Sequence, residues 1–248
     1  MKQRKQHGQA FEPIPTLRGI SGSDSTRNLP RQRCLLCIDL QHLGCSEGFG
    51  VFENHRKSGV SEAAIQYYLK TLRETVVPNV SKLQRFFRDR QFEIVHTRIQ
   101  SLTEDGRDRS LEHKRLGLHA PPGSKLAEFL DEVKPQKNEV VLNKTASGAF
   151  VSTNIEYLLR NMQVAELYVV GVYTNECVSS SVRSAADLGF DVHLISDGTA
   201  AITEELHKAT LLTSKDRYAR VLTTEEAIAQ LEGECETAEL HQETGANV

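Results

Sequence analysis

Three side chains able to do chemistry sit at, or just past, the carboxyl ends of apolar runs: Asp39, Lys144 and Cys177. A cysteine between a carboxylate and an ammonium can pass its proton to the carboxylate while the cation holds the thiolate. Such a thiolate attacks a carbonyl carbon. Backbone N–H groups in the Cys177 turn would steady the oxyanion, and Asp39 would return the proton to a leaving amine. Water then cleaves the thioester, with Asp39 as general base. None of the nine histidines occupies an equivalent strand-end position beside Cys177, and this chemistry requires none. Taken singly, each residue has a structural explanation: Asp39 as the cap of a turn, Lys144 as a solvated loop residue, Cys177 as a packed thiol. Together those explanations weaken, because a charge ending an otherwise apolar strand is costly unless paired.

The elements that must position this trio follow from periodicity. Cys34 to Leu40 is apolar on both faces, as a central parallel strand should be, with Asp39 interrupting it near its end. A helical pattern from Ser61 to about Val77 is expected to break or kink at Pro78, with a second piece through Arg90. Phe92–Thr97 reads as the second strand, Glu139–Asn143 as the third, Glu166–Val172 as the fourth, Asp191–Ser196 as the fifth with Asp197-Gly198 as a turn, and Ala219–Leu222 as a short sixth. Helices are expected near Lys125–Val133, over Thr153–Met162, over Glu176–Leu188 with Cys177 in its first turn, over Glu204–Leu212, and over Thr224–Leu231. At such a helix start the amide dipoles lower a thiol's pKa if the site is partly open. A long polar loop spans Ile99 to Gly123, a length that in compact domains marks function or disorder. Strand and helix alternate throughout. The fold class is therefore α/β: three layers, α/β/α, around a central, mostly parallel six-stranded sheet, whose ligands bind outside the strands' carboxyl ends.

At 248 residues the chain suits one α/β domain over 34–231, between a basic extension (1–33) and an acidic tail (232–248), both read as flexible. A net charge of -3 argues against nucleic acid as the main partner, and no apolar run approaches a membrane span or a secretory signal. A cytoplasmic location is the expectation. Five cysteines without a framework spacing suit reduced thiols, and Cys34 and Cys37, three apart in a strand, point to opposite faces of the core. Gly117 to Lys125 imitates a phosphate loop and fails, because its second glycine is late, Lys and Ser are reversed, and Pro121 and Pro122 remove amides.

Three segments carry a resemblance: Cys37-Ile38-Asp39-Leu40-Gln41; Val141-Leu142-Asn143-Lys144 with Ser147-Gly148-Ala149-Phe150; and Gly171-Val172-Tyr173-Thr174-Asn175-Glu176-Cys177-Val178. In this order and spacing the chain, over roughly Cys34 to Leu231, resembles the isochorismatase-like cysteine hydrolases. The resemblance implies an isochorismatase-like, Rossmann-like fold and a triad of Asp39, Lys144 and Cys177. It implies a cis peptide between Val172 and Tyr173, and an oxyanion hole from the amides of Tyr173 and Cys177. It also implies a small-molecule substrate, no cofactor, and a homo-oligomer, dimer or tetramer. Gln41, Phe150 and Tyr173 become pocket walls on the same ground. Two departures stand out: His42-Leu43-Gly44 follows Gln41 where many relatives read Asn-Asp-Phe, and Asp105, Asp108, His113 and His119 lack the Asp-x-His spacing of the nicotinamidase metal cluster, so no metal is expected. Arg107 and Arg109, overhanging the catalytic end, could grip a substrate carboxylate, or simply balance the loop's own acids. Retention of Cys177 favours cleavage of a C–N bond in a small ureido, carbamoyl or amide substrate. The alternatives are vinyl ether hydrolysis of the isochorismatase type and a non-catalytic binding role on the same fold.

Overall fold

A computed structural model of the chain describes residues 32–53 and 59–245, the last eleven of these as backbone only. The basic extension lies outside the described residues except for Gln32 and Arg33, which already belong to the first strand; Arg33 Nε donates to Glu166 Oε2 at 3.1 Å. In chain order the elements are β1 (Gln32–Ile38), α1 (His42–Cys45), α2 (Glu62–Thr71), α3 (Val77–Asp89), β2 (Glu93–Ile99), α4 (Leu111–Arg115), β3 (Val140–Lys144), α5 (Ala149–Ser152), α6 (Ile155–Asn161), β4 (Val164–Val172), α7 (Ser179–Asp187), β5 (Asp191–Ala200), α8 (Glu204–Ser214), β6 (Arg220–Leu222) and α9 (Thr224–Gly245). The six strands form one sheet in the order β3-β2-β1-β4-β5-β6, every pairing parallel. The order reverses between β1 and β4, the topological switch at which open α/β sheets bind ligands.

The strands are apolar on both sides because both sides are covered. Cys34, Leu36 and Ile38 of β1 pack with α6 and α7 residues such as Leu159 and Val182. Leu35 and Cys37 pack on the opposite face against Ile65, Leu69, Leu83 and Phe87 of α2 and α3, and Leu231 of α9. The two cysteines of β1 are thus fully buried on opposite faces, as a two-residue strand period requires. Ser61 starts α2 by accepting a hydrogen bond from Ala64 N at 3.2 Å. Pro78 neither breaks nor ends this helical run. A π-type turn, Leu72–Val76, precedes α3 and leaves the proline in α3's first turn, directly after the widened turn.

Several expected elements take other forms. The helix anticipated over Lys125–Val133 is two short 3-10 turns, Lys125–Ala127 and Asp131–Val133, because the segment between them bonds to the chain after β1. His42 N donates to Glu128 O at 2.9 Å and Leu130 N to Leu40 O at 3.0 Å. The helix anticipated over Thr153–Met162 divides into α5 and α6 at Thr153, whose hydroxyl donates to Ala149 O and accepts from Ile155 N. Asp197-Gly198 makes no turn. β5 continues to Ala200 through an irregularity opposite Val169 and Gly171, and Asp197 Oδ1 instead takes the N–H and hydroxyl of Thr224 at 2.7 and 2.8 Å, capping α9. That last helix runs on to Gly245, through most of the segment expected to be a tail. No described helix is long and apolar enough to cross a membrane.

Candidate active site

The three strand-end residues converge. Asp39 follows β1 in a left-handed conformation, φ 55°, a region that Asp tolerates better than most residues. Its amide donates to Thr97 O at 3.0 Å, and Thr97 Oγ1 at the end of β2 donates to Asp39 Oδ1 at 3.2 Å. Lys144 closes β3, and its side chain reaches past the end of β2. Nζ forms an ion pair with Asp39 Oδ2 at 2.8 Å and donates to Cys177 Sγ at 3.2 Å and to Ala146 O at 3.0 Å. Both charges are buried, Lys144 completely. Burial alone would lower the lysine's pKa, but the Asp39 carboxylate and the Cys177 sulfur outweigh it, and the net direction is upward.

Cys177 sits in a π-type turn, Thr174–Val178, between β4 and α7, rather than in the open first turn of a helix. It is 5% exposed. Burial therefore dominates, and its thiol is pushed up to about 12 despite the lysine; the Asp39 carboxylate raises it further as an acceptor for the S–H. The lowered thiol pKa expected of a partly open helix start does not arise, because Cys177 itself is buried at the base of the cleft. The site holds a neutral thiol facing a carboxylate base, with an ammonium beside the sulfur to receive its charge.

The peptide joining Val172 to Tyr173 is cis. Gly171 before it has φ 118° and lies so close to β1 that a Cβ would sit 2.0 Å from Ile38 O, a position only glycine can fill. Val172, Tyr173 and Cys177 line one cavity, open to solvent on one side, with Asp39, Gln41, Leu43, Gly44, Val51, Ile99, Leu118, Ser147 and Glu176. Its walls are mostly apolar with a few convergent polar groups, the character of small-molecule sites.

An isochorismatase domain matches residues 33–226, more than half of the chain. The chain belongs to the isochorismatase family. The family is hydrolytic, and amidases are among the relatives. The isochorismatase family protein YrdC of Bacillus subtilis is 30% identical over 161 residues, covering 60% of this chain and 80% of that protein. Maleamate amidohydrolase of Pseudomonas putida is 31% identical over 109 residues, covering 44% of this chain and 51% of that enzyme. The structure of N-carbamoylsarcosine amidase from Thermoplasma acidophilum superimposes with a TM-score of 0.61 at 19% identity, over 79% of this chain and 98% of that one, a likeness of fold.

Within this isochorismatase-family site, some residues expected to contact substrate do other work. Gln41 borders the cavity, but its amide is consumed by backbone: Oε1 accepts from Ile99 N at 2.5 Å, and Nε2 donates to Ile99 O and Leu126 O. Arg107 and Arg109 do not line the cavity. Arg107 is exposed and pairs with Asp105, while Arg109 spends its donors on Gly106 O and Leu118 O, propping the loop that carries Leu118. Phe150 also faces away, packing on Phe190 with ring centroids 5.9 Å apart. The long loop is held rather than loose, through Ser110 N to Thr145 O and Ser101 N to Ala120 O. Asp105, Asp108, His113 and His119 do not fit a metal cluster. Asp108 is occupied by Leu102 N and by Thr103, Asp105 by Arg107, and among the described residues no three such side chains are grouped to hold an ion.

Sequence reasoning passed over four site residues. Thr97 bears the same signal as Asp39, a polar residue at the end of an apolar strand. Glu176 and Ser147 lie inside the quoted motifs without a role assigned to them. His113, on α4, is completely buried with both ring nitrogens unpartnered, and its pKa is lowered by burial and then by the Lys144 charge, so it is neutral. Only the packing of α4 against the Lys144 loop brings it there.

Proposed function

We propose that this isochorismatase-family hydrolase is a cysteine-dependent amidohydrolase acting on a C–N bond of a small ureido, carbamoyl or amide substrate. The observation that carries the reading is one contiguous chain of contacts at the cavity floor: Asp39 Oδ2 to Lys144 Nζ at 2.8 Å, and Nζ to Cys177 Sγ at 3.2 Å. In the first half-reaction the Cys177 proton passes to the Asp39 carboxylate as sulfur bonds to the carbonyl carbon. Lys144 offsets charge on the sulfur, and the turn amides of Tyr173 and Cys177 offset charge on the carbonyl oxygen. Asp39 then delivers the proton to nitrogen, the C–N bond breaks, and ammonia or an amine leaves a thioester. In the second half a water gives a proton to Asp39 and its oxygen to the carbonyl carbon. The C–S bond breaks, the thiol regains the proton, and the acid departs. Because the resting thiol is pushed up to about 12, proton transfer accompanies attack rather than preceding it.

Ammonia release from a panel of amides, ureido and carbamoyl compounds, with wild type and Cys177→Ala, tests this. The expected loss in the variant is at least about a thousandfold in kcat. Hydroxylamine added during turnover should divert the thioester to a hydroxamate. Turnover unchanged in Cys177→Ala would remove the mechanism.

A further inference from the structure

Around the cavity mouth the charge is lopsided. Glu176, immediately before Cys177 in the chain, lines the cavity. Glu112 on α4 accepts a hydrogen bond from the Ser147 hydroxyl at 2.8 Å, and Ser147 is another lining residue. Glu176 is exposed at the cavity mouth, and its carboxyl pKa is raised by partial desolvation and then by the Glu112 charge, against the Asn175 side chain and the Lys144 charge, which lower it. Among the described residues neither belongs to an ion pair, whereas the third carboxylate, Asp39, is matched by Lys144. Among the described residues no arginine borders the cavity, and the buried Lys144 is already paired with Asp39 and donates to Cys177 Sγ and Ala146 O. A cleft with apolar walls and uncompensated charge of one sign concentrates ligands of the opposite sign and excludes those of the same sign.

We infer that the site selects amides carrying a cationic or N–H-rich group and rejects amides carrying a carboxylate, with Glu176 the specificity-determining residue and Glu112 its second. This rests on the amidohydrolase reading for the word amide, but not for the sign of the selection. The basic loop residues that suggested the opposite preference are turned to the loop's own acceptors. A substrate ammonium, amidinium or ureido N–H would meet the Glu176 carboxylate, which has no ion-pair partner among the described residues, while a substrate carboxylate would meet two like charges and, among the described residues that line the cavity, no arginine or lysine.

The test reads the charge of the site without turnover. Cys177 is modified by two methanethiosulfonates of similar size, one ending in a trimethylammonium and one in a sulfonate. Each forms a disulfide with the thiolate and expels methanesulfinate, the thiol proton going to solvent. Rates are followed by mass spectrometry at Cys177, with Cys177→Ser marking reaction elsewhere, and the cation-to-anion ratio is divided by that of 2-mercaptoethanol. The expected normalised ratio is about tenfold or more, falling at least threefold in Glu176→Gln and to a smaller extent in Glu112→Gln, with folding checked by thermal melts. A wild-type ratio at or below unity overturns the inference, as does a ratio unmoved in both folded variants. A cavity that admits neither reagent to Cys177 overturns it too. Failure of the amide panel with a high ratio would instead remove the amidohydrolase reading and leave the charge selection standing.

Discussion

Replacing Lys144 with methionine isolates the energetics of the buried charges. The side chain keeps its approximate length and apolar stem, but the ammonium 2.8 Å from Asp39 is gone, and the carboxylate, 4% exposed, keeps only neutral side-chain donors, Thr97 Oγ1 at 3.2 Å and the Cys177 thiol. Removing one partner of a buried ion pair costs about 3–5 kcal/mol, because an uncompensated charge remains buried. For a domain of this size about 1 kcal/mol moves Tm by roughly 2–4 °C, so Lys144→Met should melt ~6–20 °C below wild type. Adding Asp39→Asn removes the stranded charge, and asparagine tolerates the left-handed backbone at that position, φ 55°. The double variant should therefore recover part of the loss, with a coupling of about 2 kcal/mol or more between the two sites. Urea unfolding of the four proteins in the cycle measures this directly. Lys144→Met costing under about 1 kcal/mol, or effects additive within about 0.5 kcal/mol, would refute the view that these charges are buried and mutually dependent.

Other consequences follow from the same contacts. Alkylation of Cys177 by iodoacetamide should accelerate about tenfold per pH unit from pH 7 to 9, since its thiol is pushed up to about 12; a plateau in that range would mean a thiolate already formed. Gln41→Ala strands Ile99 N and the Ile99 and Leu126 carbonyls and should cost ~2–3 kcal/mol in urea unfolding, whereas a mere pocket wall would cost little. The Glu139 carboxyl is held at about 2 against an ordinary 4.5: burial opposes ionisation, but His96 and Arg88, 3.0 and 2.7 Å away, outweigh it. A depressed carboxyl pKa stabilises the fold above its unfolded value and stops doing so as pH falls through the folded one. Stability should accordingly decline between about pH 4.5 and 2, and the decline should be shallower in Glu139→Gln.

Much of the molecule was legible because it is local. Apolar runs of strand length, helical periodicity between them, and a charged residue ending a run are properties of a few adjacent residues, and they suffice for a parallel α/β sheet with Asp39, Lys144 and Cys177 at its carboxyl ends. The departures come where a segment's partner lies far along the chain. Lys125–Val133 looks helical by composition, but its backbone groups bond to residues 40–42. Asp197-Gly198 looks like a turn, but Asp197 caps a helix that begins at Thr224.

The site divides the same way. The types and order of its reactive residues are written in the sequence, because the strand ends that bear them are set by local pattern. The state of the thiol is not, since it depends on burial and on a lysine thirty-three positions away, both products of how β3 and the turn after β4 pack. Nor is the sign of the charge around the cavity. Arg109 donates to carbonyls of its own loop and Arg107 pairs with Asp105, while Glu176, unremarked in the motif, borders the cavity. Side-chain direction on a loop is decided by whichever acceptor the tertiary structure brings within reach, and no periodicity encodes that.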